Sequence, residues 1–282
     1  MDDAVKSLTD FSETYQAAVD QPQPLFRRRA AAAPGEPLTA KIDALRARLK
    51  DILEHHAPAT FASSFGAEDM VLIDLIAREF PSIEIFTLDT GRLPQATLDL
   101  MREAVSRYQF DLKTHRPDPA AVTIYVNTRG LNGFYDSLEN RKACCAIRKV
   151  EPLKRALAGK AAWITGLRRE QAVSRQNVAE VEHDDSHGLT KFNPLIDWTN
   201  EDVWAYIRQH HVPYNKLHDK GYPSIGCEPC TRAIKPGEDP RAGRWWWEGK
   251  AGQQECGLHV AEEGGASRFT PINVSVIERT DA

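Results

Sequence analysis

One stretch limits the fold more than any other, the run from Ala59 to Ile76. Ala59 to Phe65 reads as a short buried strand that ends in Ser63-Ser64-Phe65-Gly66, and a helix starts at about Ala67. Met70, Val71, Leu72, Ile73, Leu75 and Ile76 make that helix apolar almost all round. Such a helix needs cover on several sides, more than a surface helix with one apolar stripe requires.

The rest of the chain supplies that cover by repeating the pattern. Upstream, Ile42, Leu45, Leu49, Ile52 and Leu53 keep helical spacing, which predicts a helix over about 40–56. Downstream, a second strand runs from Ile83 to Leu88 and ends in Asp89-Thr90-Gly91, and Pro94 opens the next helix, to about Tyr108. Phe110 to Thr114 reads as a third strand. Pro117, Pro119, Gly130 and Gly133 mark a less regular region, followed by a helix from about Ala143 to Leu157. Ala161 to Thr165 is another strand, and it ends in Gly166-Leu167-Arg168-Arg169. Lys191 to Pro194 reads as a short strand, and Thr199-Asn200-Glu201-Asp202 resembles a capping box before a helix from Val203 to His210. Strands alternating with helices predict an α/β fold, a mostly parallel sheet flanked by helices on both faces. Ligands bind such sheets beyond the C-terminal strand ends, where three polar, glycine-bearing corners fall here.

Composition narrows the partners. Of 282 residues 41% are apolar, enough for a real core, and the net charge of -4 argues against broad nucleic-acid or acidic-membrane binding. No apolar run approaches about 18 residues, so no membrane span is expected. Met1-Asp2-Asp3-Ala4 does not open a secretory signal, and five cysteines, an odd number, suggest metal binding or catalysis rather than disulfides. A cytoplasmic location is the expectation.

The chemistry-bearing residues form three groups. Ser63, Ser64 and Gly66 precede a helix N-terminus, an arrangement that suits a bound oxyanion and also serves as an ordinary capped turn. No Gly-Lys-Ser/Thr follows, so the corner is not a Walker A loop. Arg168, Arg241, Arg244 and Lys149 are cations matched to sulfate or phosphate oxygens, although each type is also common on solvated surfaces. Cys144-Cys145 and Cys227-Glu228-Pro229-Cys230 form a set of four soft ligands. Zinc is one candidate, yet adjacent cysteines on a helix diverge by about 100°. Diverging thiolates favour an object with several metal corners, such as a [4Fe–4S] cluster. The fifth cysteine, Cys256, lies in Glu255-Cys256-Gly257-Leu258-His259 among Gly249, Gly252, Gly264 and Gly265, where a mobile backbone and a nucleophilic thiol are expected. Trp245-Trp246-Trp247 cannot all face one core, and His183 and His187 fall in a polar loop.

Taken together, Ser63-Ser64-Phe65-Gly66-Ala67-Glu68-Asp69, Leu88-Asp89-Thr90-Gly91, Cys144-Cys145, Thr165-Gly166-Leu167-Arg168-Arg169, Cys227-x2-Cys230, Arg241-x2-Arg244-Trp245-Trp246-Trp247 and Glu255 to His259 resemble the assimilatory adenylyl-sulfate reductases, over about residues 40–260. The resemblance implies an adenine nucleotide alpha-hydrolase-like fold with a modified pyrophosphate loop. It implies that adenosine 5′-phosphosulfate and reduced thioredoxin, or glutaredoxin, supplied in trans, give sulfite and AMP. It makes Cys256 the nucleophile, with Lys149 and His259 assisting, and Cys144, Cys145, Cys227 and Cys230 the ligands of a [4Fe–4S] cluster. Substrate contacts carry over to Ser63, Ser64, Phe65, Gly66, Leu88, Asp89, Thr90, Gly166, Arg168, Arg241 and Arg244. A homo-oligomer is implied as well. Members that use the 3′-phosphorylated substrate usually lack the four cysteines, so this chain looks like the adenylyl-sulfate type.

The expected organisation is an N-terminal helix and linker over 1–40, a reductase domain over 41–240 and a mobile segment over 241–282. Phe11, Tyr15, Ala18 and Val19 would share a face of the first helix, and Phe269 to Ile277 is apolar enough to dock. Three alternatives stand beside this reading: a 3′-phosphoadenylyl-sulfate reductase, a pyrophosphate-loop tRNA-thiolating enzyme and a non-catalytic metal redox sensor. The tRNA reading would need a Ser-Gly-Gly-x-Asp-Ser loop and a basic surface, and the sensor reading gives Cys256 no role.

Overall fold

The computed structural model describes residues 37–172 and 175–249. The predicted N-terminal helix, Cys256, His259 and the apolar run from Phe269 to Ile277 lie outside the described residues.

Leu38–His55 forms α1, which buries Ile42, Leu45, Leu49 and Ile52 along one face. β1 (Ala59–Ser63) and α2 (Ala67–Glu79) follow. Every residue of α2 from Asp69 to Ile76 is buried, as the all-round apolar pattern requires. Asp74 is a polar member of that run, and the Tyr206 hydroxyl donates to its Oδ2 at 2.7 Å. A buried acceptor left alone there would cost about 1–3 kcal/mol. β2 (Glu84–Leu88), α3 (Gln95–Tyr108) and β3 (Leu112–His115) complete the first half of the sheet.

The chain then leaves the sheet through α4 (Pro119–Arg129) and α5 (Leu138–Cys145). A π turn over Ala146–Val150 joins α5 to α6 (Glu151–Leu157), so the predicted single helix is a longer one with a wide turn inside it. β4 (Ala162–Ile164) re-enters the sheet on the other side of β1, and β5 (Val181–Asp184), β6 (Leu189–Phe192) and α7 (Asn200–Gln209) follow. The Thr199 capping box is formed: its hydroxyl accepts from the Asp202 N–H, and Asp202 accepts from the Thr199 N–H at 2.8 Å.

The strand order is β3-β2-β1-β4-β6-β5. All neighbours pair in parallel except β5 with β6. Alternate residues serve opposite faces. Phe61, Ile85 and Ile164 join the larger core with α1, α2 and α7. Phe86 and Trp163 face the other way and meet Leu153, Ala156 and Leu157 of α6. The expected parallel sheet with helices on both faces is therefore the fold observed. No helix among the described residues is long and apolar enough to cross a membrane.

Two expectations need correction. The stretch after β3 is not irregular, because Asp118 caps α4 by accepting from the Ala120 N–H and Pro119 sits in its first turn. His183 lies not in a loop but in β5, an edge strand held by pairing with β6. Within the described part of the segment from Arg241, Arg241, Arg244 and Trp245 are buried, and Thr231 bridges to Arg244. Leu72 is fully buried between layers, so Leu72→Ala should lower unfolding free energy by about 2–5 kcal/mol in urea denaturation.

Candidate active site

β1 lies between β2 and β4, and the helices that follow β1 and precede β4 cover opposite faces. Their C-terminal ends therefore diverge around a crevice, the usual ligand position in an open α/β sheet. A cavity of about 690 Å³ opens at that crevice. Ser63, Ser64 and Gly66 line it from the first corner, Leu88 and Thr90 from the second, and Gly166 and Arg168 from the third. Lys149, Arg241 and Arg244 line it as well.

Phe65 and Asp89, expected as ligand contacts, do not line the cavity. The Phe65 side chain is buried in the core, and its backbone takes a left-handed conformation, φ 59°. That is strained for a bulky residue. Its N–H donates to Ser63 Oγ at 3.1 Å, so Phe65 shapes the loop from within. Asp89 turns outward, accepts from the Gly91 N–H and pairs with Arg116 at 2.9 Å.

Two acidic residues that carried no role in the sequence reading, Glu68 and Asp69, organise the first corner. Asp69 Oδ2 accepts from the Ser64 N–H at 2.5 Å and from the Ser64 hydroxyl at 2.7 Å. Burial pushes the Asp69 carboxyl up to about 7, against the Ser64 hydrogen bonds and Arg175, which lower it, and with the help of Glu68. Glu68 is held below its ordinary range: burial acts to raise it, but Arg168, Gln171 and backbone bonding outweigh burial. Arg168 grips Glu68 Oε1 through Nε at 3.0 Å and Nη2 at 2.7 Å, and its Nη1 donates to the Trp198 carbonyl at 3.2 Å. Arg168 thus lines the cavity with much of its hydrogen bonding already committed. Arg169 points away and pairs with Asp197.

The four described cysteines form no disulfide, and all four line one small compartment beside the main cavity. Cys144 and Cys145 end α5, and Cys227 and Cys230 flank a short turn, with the Cys230 N–H donating to the Cys227 carbonyl at 3.0 Å. The second corner braces this turn. Thr90 Oγ1 lies 3.2 Å from Cys227 Sγ, and the Glu228 N–H donates to the Arg92 carbonyl at 2.8 Å. Arg148, brought round by the π turn, donates to the Thr90 carbonyl at 2.7 Å. Burial and the neighbouring Cys227 and Cys145 push the Cys230 thiol up to about 12, and burial raises Cys144 while Arg148 opposes it.

Lys149, Cys227 and Trp245 line both compartments. Trp245 is clamped between two guanidinium groups, with Arg141 and Arg244 each 4.7 Å from its ring centroid. Arg141 also pairs with Glu248 at 2.7 Å in a buried contact. These contacts fasten Trp245–Glu248 to α5. Trp246 and Trp247 pack instead with Tyr135 on the outer side. Other lining residues not foreseen are Trp204 and His218, whose rings are 5.4 Å apart, and Thr97, which accepts from Asn215 Nδ2 at 2.9 Å. His187 does not reach the site, since its Nδ1 is 2.8 Å from Asp184 Oδ2 in the β5–β6 turn.

Fold and site together define an α/β protein with an oxyanion-type pocket at a topological switch point, walled on one side by a four-thiol centre. Residues 58–233 match the family described as "Phosphoadenosine phosphosulfate reductase domain". An adenosine 5′-phosphosulfate reductase of Allochromatium vinosum is 58% identical over 72% of this chain and 78% of its own length. One of Burkholderia cepacia is 53% identical over 83% of this chain and 91% of its own. The crystal structure of a phosphoadenylyl-sulfate reductase from Candida auris, a phosphate complex, superimposes with a TM-score of 0.59 at 26% identity, covering 73% of this chain and all of that one. The chain belongs to this reductase family, as the motif resemblance implied.

Gly166 tests how tightly the corners are drawn together. A Cβ added there would lie 2.1 Å from Asp69 Oδ1. Gly166→Ala should keep a native far-ultraviolet circular dichroism spectrum while weakening nucleotide binding at least about tenfold in a calorimetric titration, because two corners must part.

Proposed function

We propose that the protein is an oxidoreductase that reduces adenosine 5′-phosphosulfate to sulfite and AMP in sulfate assimilation, with thioredoxin as the electron source. One observation carries this reading. A cavity sized for a nucleotide, lined by hydroxyls and cations at the strand ends, shares Lys149, Cys227 and Trp245 with a compartment of four cysteines. The relatives named above support the substrate.

In this reading the nucleophile is Cys256, seven residues beyond Gly249 in sequence. Its thiolate attacks the sulfate sulfur, an S–S bond forms, and the bond to the bridging oxygen breaks. AMP leaves with that electron pair. A thioredoxin thiolate then attacks Cys256 Sγ, which releases sulfite with the S–S pair, and the second thioredoxin thiol closes a disulfide and regenerates Cys256. The attack brings an anion to an anion, so fixed cations must offset the repulsion. Lys149, Arg168, Arg241 and Arg244 line the cavity and are the candidates, with Arg168 also paired to Glu68. His259 would assist near the thiol. Thiols must stay reduced for this chemistry, which makes the cytoplasm its compartment.

The donor set of the second compartment fits an iron–sulfur group. Four thiols around one compartment suit a [4Fe–4S] cluster, which takes each cysteine on a separate iron. Such a group would supply positive charge beside the Cys230 thiol, which burial and its cysteine neighbours now push up. Two electrons from thioredoxin balance the reaction, so the cysteines' own part is to hold α5, the π turn and the Cys227–Cys230 turn together.

Two measurements test the proposal. Anaerobically purified protein incubated with adenosine 5′-phosphosulfate and no reductant should gain one sulfonate in its intact mass, and Cys256→Ser should gain none. An unmodified wild type that binds the nucleotide would sink the two-step mechanism. The wild type should also contain iron and acid-labile sulfide in equal amounts, and Cys230→Ser should lose both along with the visible absorbance. Zinc without iron would overturn the cluster.

A further inference from the structure

Ser64 faces the cavity, yet its donors are already taken. Its N–H and its hydroxyl both point at Asp69 Oδ2, at 2.5 and 2.7 Å. While Asp69 is ionised, the Ser64 hydrogen is committed to it, and only oxygen lone pairs remain for a ligand. An anionic ligand oxygen is repelled by them. A protonated Asp69 reverses the arrangement, since its O–H can donate to Ser64 Oγ and free the Ser64 hydrogen for the cavity.

The surroundings hold Asp69 between the two forms. It is buried in the first turn of α2, against the Gly166 corner. Facing it are Glu68, which favours the proton, and Arg175, which opposes it. Around the cavity stand Arg168, paired with Glu68, then Lys149, Arg241, Arg244 and His218, and the carboxylates of Glu170, Glu201 and Glu238. Burial lowers the pKa of His218 below its ordinary value, so it is mostly neutral at pH 7 and above. With the Asp69 carboxyl pushed up to about 7, both forms are populated near neutrality. An anion arriving beside it tips the balance to the neutral form.

We propose that Asp69 is a positioning residue for the anionic substrate: its carboxyl takes one proton from solvent as the ligand enters, reverses the hydrogen bond it shares with Ser64 and hands the Ser64 hydroxyl to the ligand. No ligand bond breaks in this step, and the only transfer is one proton from solvent to carboxyl. The proposal rests on reading the cavity as the adenosine 5′-phosphosulfate site. Its consequence is that substrate binding is linked to proton uptake. Affinity is full below pH 7 and falls as pH rises through the Asp69 titration, by about tenfold per unit until the ligand-bound carboxyl also ionises.

The test uses the full-length Cys256→Ser holoenzyme, which binds but cannot react, titrated calorimetrically with adenosine 5′-phosphosulfate between pH 6 and 9. Both anionic groups of that ligand ionise far below neutrality, so any proton taken up goes to the protein. Heats measured in buffers of different ionisation enthalpy should show uptake approaching one proton near pH 8. Asp69→Asn in the same background, whose amide does not ionise, should show no uptake at that pH and a flattened pH dependence. Ser64→Ala, at an exposed position, should weaken binding by about tenfold at pH 6 and by much less at pH 9, where the hydroxyl is already withheld. Binding without proton uptake, uptake that survives Asp69→Asn, or an equal loss from Ser64→Ala at both pH values overturns the proposal. A folded holoenzyme that binds no nucleotide at any pH overturns the substrate reading and the proposal with it.

Discussion

The shape of the cavity depends on the ion pair between Glu68 and Arg168. One partner opens α2 and the other follows β4, so the pair spans the gap that the strand order leaves at β1. An α/β sheet creates a crevice there but does not set its width. The pair does so from inside, since both side chains are largely withdrawn from solvent. Removing either would strand a buried charge, and such losses run to about 3–5 kcal/mol. Asp69 also packs closely against Gly166 across the same gap. Much of the acidity and basicity seen in these corners is therefore structural, and the ligand is left with hydroxyls, backbone groups and cations from later in the chain.

Those later cations arrive with the cysteine compartment. Thr90 touches Cys227, Arg148 touches Thr90, and Trp245 is stacked between arginines from α5 and from the segment after the Cys227–Cys230 turn. The two compartments thus share a wall, and a change in how the cysteines are held shifts Lys149 and Arg244 as well. Four thiols in this setting have an architectural use that requires no electron to pass through them.

Much of this was legible in the sequence, for identifiable reasons. Strand ends that carry small polar residues and glycine stand out against apolar strands, so the three corners were readable. The donor set of four cysteines was readable too, but only as a set. That Cys144 and Cys227 meet behind Thr90 depends on a chain path of more than eighty residues, which no local pattern encodes. α4 was missed because Pro117, Pro119, Gly130 and Gly133 read as irregular chain, whereas Pro119 opens the helix and Gly130 ends it. β5 was missed because Val181-Glu182-His183-Asp184 is polar and is held by its neighbour rather than by propensity. Phe65 and Asp89 were assigned to the ligand by motif membership, yet one is turned inward by a left-handed backbone and the other outward toward Arg116. Asp69 was invisible for the opposite reason. An acidic residue in a first helical turn is commonplace, and nothing in one dimension says that it is buried.

The π turn over Ala146–Val150 is in effect a one-residue insertion in an otherwise continuous helix. Its length is therefore under a constraint that ordinary helix positions escape. Deleting one residue there would restore regular α-helical winding and turn everything N-terminal of it by about 100° relative to α6. α6 would stay on the sheet, while Cys144 and Cys145 would swing out of line with Cys227 and Cys230. A chain of this family can exchange side chains within the turn, but a change in the number of residues there disconnects the thiol compartment from the nucleotide cavity in a single step.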